Sequence, residues 1–178
     1  MPCAWHLWRF DSEEVPVRVR SFFSFVFGGL LGIGAGFALG IFLYPYIFLS
    51  DIVATEKVDA ASRQLFARGS FIHANPSDPI HYGRGEVTVY RDLVHLEANF
   101  EVGPGPKYHV YLVPEANVTP DTDVAKTMFV DLGRLRAFKG SQNYEVPEGV
   151  DLGKYPSVVI WCEQFGVLIS PAALMPAN

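Results

Sequence analysis

Residues 86–100 read Glu-Val-Thr-Val-Tyr-Arg-Asp-Leu-Val-His-Leu-Glu-Ala-Asn-Phe. Val87 and Val89 alternate with Glu86, Thr88 and Tyr90, and then Val94, Leu96, Ala98 and Phe100 alternate with His95, Glu97 and Asn99. A period of two sends one set of side chains to a buried face, so the stretch predicts two half-buried strands. Further strands are expected at 108–113, 132–138, 144–146, 158–162 and 167–170, separated by Gly-Pro, Pro-Asp, Lys-Gly and Glu-Gly pairs that favour turns. Many short strands punctuated in this way predict an all-β domain, an antiparallel β-sandwich, over residues 69–178. Residues 114–127 read as a long surface loop. Upstream, Ile52, Val58, Leu65 and Phe66 lie among Glu56, Lys57, Asp59 and Arg63. That spacing predicts a linker with a short amphipathic helix over 50–68.

A different physics governs the N-terminal third. From Phe22 to Leu49 there is no charged residue, and at ~1.5 Å per residue this run exceeds a hydrocarbon core of ~30 Å. A single transmembrane helix over 21–49 is expected. A cleaved signal peptide would have an apolar core of only ~7–15 residues. Arg18 and Arg20 precede the span, while Tyr44, Tyr46 and Asp51 mark its far end. The positive-inside rule then places the arm 1–20 in the cytoplasm and the β domain on the extracytoplasmic, periplasmic side of the inner membrane. Cys3 precedes the span, so it is not a lipoprotein acylation site.

Within the span Gly28, Gly32, Gly36 and Gly40 recur every four residues. On a helix they form one groove without side chains, the kind that admits a neighbouring helix backbone in lipid. The rest of the span carries Phe22, Phe23, Phe25, Phe27, Phe37, Phe42 and Phe48, suited to lipid, to bulky helical neighbours or to pigment. Trp5, His6, Trp8 and Phe10 make an aromatic cluster in the arm. His6 reads as an interfacial anchor, or alternatively as a ligand to a porphyrin metal.

Charge and motifs exclude several classes of function. Basic and acidic residues balance over 1–68, so the formal net charge of −5 belongs to residues 69–178. A surface of that sign repels a phosphate backbone, which argues against nucleic-acid binding. The chain has no GxGxxG, no phosphate-binding loop, no GxSxG, no HExxH and no CxxC. Chemistry must come from His73, His81, His95, His109 and Cys162. Cys3 and Cys162 are expected on opposite sides of the membrane, which leaves Cys162 as a lone thiol. Alternation groups Cys162 with Val158 and Ile160. It is therefore either a small buried hydrophobe, or a redox thiol or soft ligand to copper or haem iron completed by a histidine.

Ordered blocks along 69–170 carry a resemblance. Gly69-Ser-Phe71, His81-Tyr-Gly-Arg-Gly85-Glu-Val-Thr-Val-Tyr90 and Gly105-Pro106-Lys-Tyr-His109-Val-Tyr111-Leu112 are followed by Leu132-Gly133-Arg-Leu135, Lys139-Gly140-Ser-Gln142-Asn143-Tyr144-Glu-Val-Pro147 and Ser157-Val-Val-Ile160-Trp161-Cys162-Glu163-Gln-Phe165-Gly-Val167. Together they resemble the DM-thirteen electron-transfer domain family. The resemblance implies an extracytoplasmic β-sandwich, often membrane-tethered in bacteria. The family's cysteine, proposed to act as a bare thiol or as a prosthetic-group ligand, falls on Cys162, and its HxxxG histidine on His81. The sequence departs from the family at Lys107, where members commonly carry an acidic residue. The expectation is an accessory subunit of a larger membrane complex, photosynthetic or respiratory, docked by its glycine groove among that complex's transmembrane helices. The alternatives are a redox domain acting through Cys162 and an acidic module that recruits a basic soluble partner.

Overall fold

The computed structural model describes residues 17–44, 47, 48 and 50–177. The arm cluster around Trp5 and His6, with Cys3 and Tyr46, lies outside the described residues. The chain divides into two compact units, 1–40 and 41–178.

Helix α1, Val17–Tyr44, has 28 residues and lies in the first unit up to Gly40. Its segment Ser21–Ile41, with a mean hydropathy of 1.9, is long and apolar enough to cross a membrane. The α-helical conformation runs to Tyr44, and Ile47 and Phe48 beyond Pro45 are π-helical. A Cβ placed on Gly28, Gly32, Gly36 or Gly40 would meet nothing within 4 Å. Among the described residues, nothing fills the glycine groove at that distance.

The second unit is all-β, as the alternation predicted. Its strands are β1 (Val53–Thr55), β2 (Leu65–Phe71), β3 (Gly83–Tyr90), β4 (Leu93–Leu96), β5 (Glu101–Val102), β6 (Tyr108–Val113), β7 (Val130–Arg134), β8 (Lys139–Glu145), β9 (Ser157–Cys162) and β10 (Val167–Pro176). Their hydrogen bonds form one continuous path in the order β1-β8-β4-β3-β2-β10-β9-β6-β7, with β5 pairing β3 and β8. Every pairing is antiparallel except β1 with β8. The sheet folds over on itself, so that Val87 and Val89 of β3, Leu96 of β4, Val110 and Leu112 of β6, Ile160 and Cys162 of β9 and Ile169 of β10 share one core. Each large aliphatic side chain buried there contributes about 1.5–3 kcal/mol relative to an exposed one. A second, smaller core lies on the other face of β6 and β9, where Tyr111, Val159 and Trp161 are covered by Val118 and Val124. Residues 114–127 are thus a loop, as expected, but one that shields apolar surface.

Three sequence expectations are corrected. Residues 51–68 do not form an amphipathic α-helix. Val53–Thr55 is instead a parallel edge strand on β8, a 3-10 turn follows at Ala60–Ser62, and β2 already begins at Leu65. The Glu56 carboxylate explains the difference: it accepts from Arg136 Nε at 2.9 Å and from the Asn143 N–H at 2.8 Å, and so holds the backbone extended. The strand expected over 132–138 stops at Arg134, and the chain turns a corner before β8. Buried Gln142 stabilises that corner. Its Oε1 accepts from the Arg136 N–H (3.0 Å), the Ala137 N–H (3.1 Å) and the Tyr144 hydroxyl (3.0 Å), while its Nε2 donates to the Ala137 carbonyl at 2.8 Å. His95, which alternation placed on a polar face, is buried beside its cross-strand partner Asn143, with Nδ1 2.6 Å from Asn143 Oδ1.

Gly85 shows why a glycine follows His81 by four residues. Its φ is +108°, and an added Cβ would sit 2.5 Å from Phe100 Cα and 2.6 Å from the Asn99 carbonyl oxygen. Neither neighbour is the end of a flexible side chain. Gly85→Ala is expected to cost about 2–4 kcal/mol, from backbone strain plus overpacking. Denaturant unfolding of the two proteins measures it.

Candidate functional site

Antiparallel pairing of β6 with β9 sets Tyr108 opposite Cys162 and His109 opposite Trp161. Because side chains alternate across a sheet, Cys162 points into the main core, where it is 1% exposed. Its Sγ–H donates to the Pro106 carbonyl at 3.3 Å. Burial pushes the thiol above its ordinary pKa, and the nearby Gln164 and Phe165 N–H groups offset only part of that rise. The thiol is therefore neutral at physiological pH, whereas nucleophilic attack and metal ligation need the thiolate.

Cys162 nevertheless forms part of the wall of a pocket of about 390 Å3, together with Ile80, His81, Pro104, Pro106, Tyr108, Phe165 and Val167. The structure thus brings together the two residues that the family resemblance singled out. His81 comes from the loop between β2 and β3, and its placement depends on a residue the sequence reading missed. Asp78 accepts from His81 Nδ1 at 2.6 Å through Oδ2, and from the Ile80 and His81 N–H groups at 2.9 and 3.1 Å through Oδ1. The Asp78 backbone carbonyl lies 2.8 Å from His73 Nε2. The hydrogen bond from His81 lowers the Asp78 carboxyl to about 2. Asp78-Pro-Ile-His81 gives no periodic signal, and only the Asx-turn habit of aspartate before proline hints at it.

With Nδ1 turned to Asp78, the nitrogen of His81 available to a ligand is Nε2. A carboxylate behind an imidazole is the usual outer partner of a metal-bound histidine. The pocket offers one imidazole and one thiol, fewer donors than the several nitrogen and sulfur ligands that soft copper sites gather. It is compatible with a single imidazole contact to haem iron, made by His81 from an apolar wall. Of the other described histidines, His73 contacts the Asp78 carbonyl, His95 is in the interior and His109 is on the opposite face of β6. A wider polar groove of about 580 Å3 runs between 56–63 and 132–145, where Glu56 pairs with Arg136, and Arg63 pairs with Asp92 beside it.

Residues 77–174 match a protein-family model described as electron transfer DM13. Comparison with curated proteins found no match, and comparison with solved structures found none.

Two outcomes are expected. In the folded chain, a thiol reagent labels Cys162 roughly a hundredfold or more slower than an unfolded peptide containing it, because reaction waits for local opening. Mass-spectrometric mapping separates that site from Cys3. Asp78 also ties stability to acid. Its folded pKa of about 2 lies below the ordinary 3.8, so its contribution is complete above pH ~4 and is lost as pH falls through ~2, on the order of 1–2 kcal/mol. Asp78→Asn should flatten that part of the stability profile in acid denaturation.

Proposed function

The chain belongs to the electron transfer DM13 family, and from that membership we propose that it is a single-pass accessory subunit of a larger electron-transfer membrane complex. The observation that carries the reading is α1. It has no charge from Ser21 to Ile41, its residues 21–40 are exposed, and among the described residues a Cβ added along its four-residue glycine row would meet nothing within 4 Å. In lipid, helix association is driven by close backbone packing, and such a row permits it. The neutral, buried Cys162 supports the same reading, because a subunit that scaffolds does not need an exposed thiol. Arg18 and Arg20 before the span favour a cytoplasmic N-terminus, which puts the β domain in the periplasm.

A second reading, in which the domain itself carries electrons, is favoured by one observation: the Asp78–His81 pair beside the pocket that Cys162 helps to form. In that case His81 Nε2 would contact the group, and Asp78 would hold the ring's orientation and tautomer.

Purification from native membranes in mild detergent, followed by mass spectrometry and an ultraviolet-to-near-infrared spectrum, separates the two. The accessory role predicts stoichiometric membrane subunits, whose absorption bands persist unchanged in Cys162→Ala. Recovery of the chain alone, with a haem or copper band lost in His81→Ala, would overturn it in favour of the carrier. Capture of only a soluble basic protein in a salt-sensitive manner would overturn both.

A further inference from the structure

The pocket beside His81 has the size and character of a small-molecule site. Its volume is about 390 Å3, and such sites span ~300–1,000 Å3, mostly apolar with a few placed polar groups. Ile80, Pro104, Pro106, Phe165 and Val167 supply apolar wall, and Tyr108 adds a second aromatic ring. Ile80 and Phe165 are about half exposed. None of the described residues lining the pocket is Lys, Arg, Asp or Glu. A phosphate or carboxylate entering it would lose hydration without meeting an opposite charge.

The polar groups of the wall decide what kind of molecule fits. The Cys162 thiol is already committed to the Pro106 carbonyl, which leaves the imidazole of His81. Asp78, its carboxyl lowered to about 2, is ionised and can only accept. Nδ1, 2.6 Å from Asp78 Oδ2, therefore carries the proton of that hydrogen bond. The neutral ring then presents Nε2 as an acceptor. An apolar pocket whose available polar atom is an acceptor selects an apolar molecule bearing a hydroxyl. It discriminates against one that offers only carbonyl oxygens, because two acceptors share no proton.

We propose that this pocket binds a lipid-soluble hydroquinone of the isoprenoid quinol class, with a ring hydroxyl donating to His81 Nε2 and the apolar body lying against Ile80, Phe165 and Val167. The aromatic rings of Tyr108 and Phe165 suit a flat aromatic ligand. Leu43, which belongs to the same compact unit, also lines the pocket, and it lies just beyond the apolar segment Ser21–Ile41. A ligand dissolved in the bilayer is therefore the class that this wall meets. Such binding is independent of what α1 packs against, and it excludes a haem at the same nitrogen.

Anaerobic titration calorimetry of the full chain in lipid nanodiscs tests this, with decylubiquinol as the probe, decylubiquinone as the comparison and empty nanodiscs as the blank. One quinol per chain is expected, bound about tenfold more tightly than the quinone through the one extra hydrogen bond. His81→Ala should reduce the quinol to the affinity of the quinone. Val167→Phe, which fills the pocket and leaves the imidazole in place, should abolish binding of both, and circular dichroism checks that each variant is folded. Absence of saturable quinol binding to the native chain overturns the proposal. So does equal affinity for the two redox forms, or a quinol affinity that His81→Ala leaves unchanged, the behaviour of a general acyl-chain pocket. A haem band in the purified chain that is lost in His81→Ala overturns it as well, in favour of the carrier.

Discussion

The pairing of β6 with β9 is the constraint on which the chemistry of this domain depends. With Tyr108 opposite Cys162 and His109 opposite Trp161, the two-residue period sends the thiol inward and leaves His109 and Glu163 outward. A slip of one residue would exchange these faces. It would expose Cys162 and bury His109 and Glu163 in the apolar core. The apolar cost of such a slip is large, since Val110, Leu112, Val158 and Ile160 would leave the core together. The register is therefore set by packing, and the pocket that Cys162 lines inherits its precision from it.

Two polar side chains let the sheet close over that core. Gln142 supplies the hydrogen bonds that the backbone at Arg136 and Ala137 would otherwise lack where β7 turns toward β8. Glu56 ties the segment after α1 to β8 and to Arg136. Among the described residues, no buried side-chain nitrogen or oxygen lacks a partner. Both groups sit in blocks that look merely polar in sequence, and both replace main-chain pairing at places where a strand ends.

The period-two alternation at 86–90 made the all-β class legible, and the uncharged run made the helix legible, because each reflects a single local rule. Burial of Cys162 could be read from Val158 and Ile160 before it. His95 was misread because its polar character says nothing of Asn143 on the neighbouring strand. The helix expected at 51–68 failed because apolar spacing is a weak signal against an edge that offers hydrogen bonds and an ion pair. Asp78 was hidden in a loop without periodicity. Asp131 and Glu163 lie 32 residues apart in the chain and become neighbours of His109 only through cross-strand register, which no local pattern encodes.

In the proposed accessory role α1 makes the functional contact and carries the β domain, with the glycine face of α1 packed against another protein's helix. The most direct measurement is the amount of membrane protein that co-purifies with a Gly32→Leu/Gly36→Leu chain, compared with a Phe27→Leu chain whose change lies on the opposite side of the helix. Both replacements keep the span apolar, so insertion is preserved. Loss of the co-purifying subunits with the glycine replacements alone is the predicted result. Equal recovery from both chains would contradict the claim and leave the glycine row as ordinary lipid-facing helix.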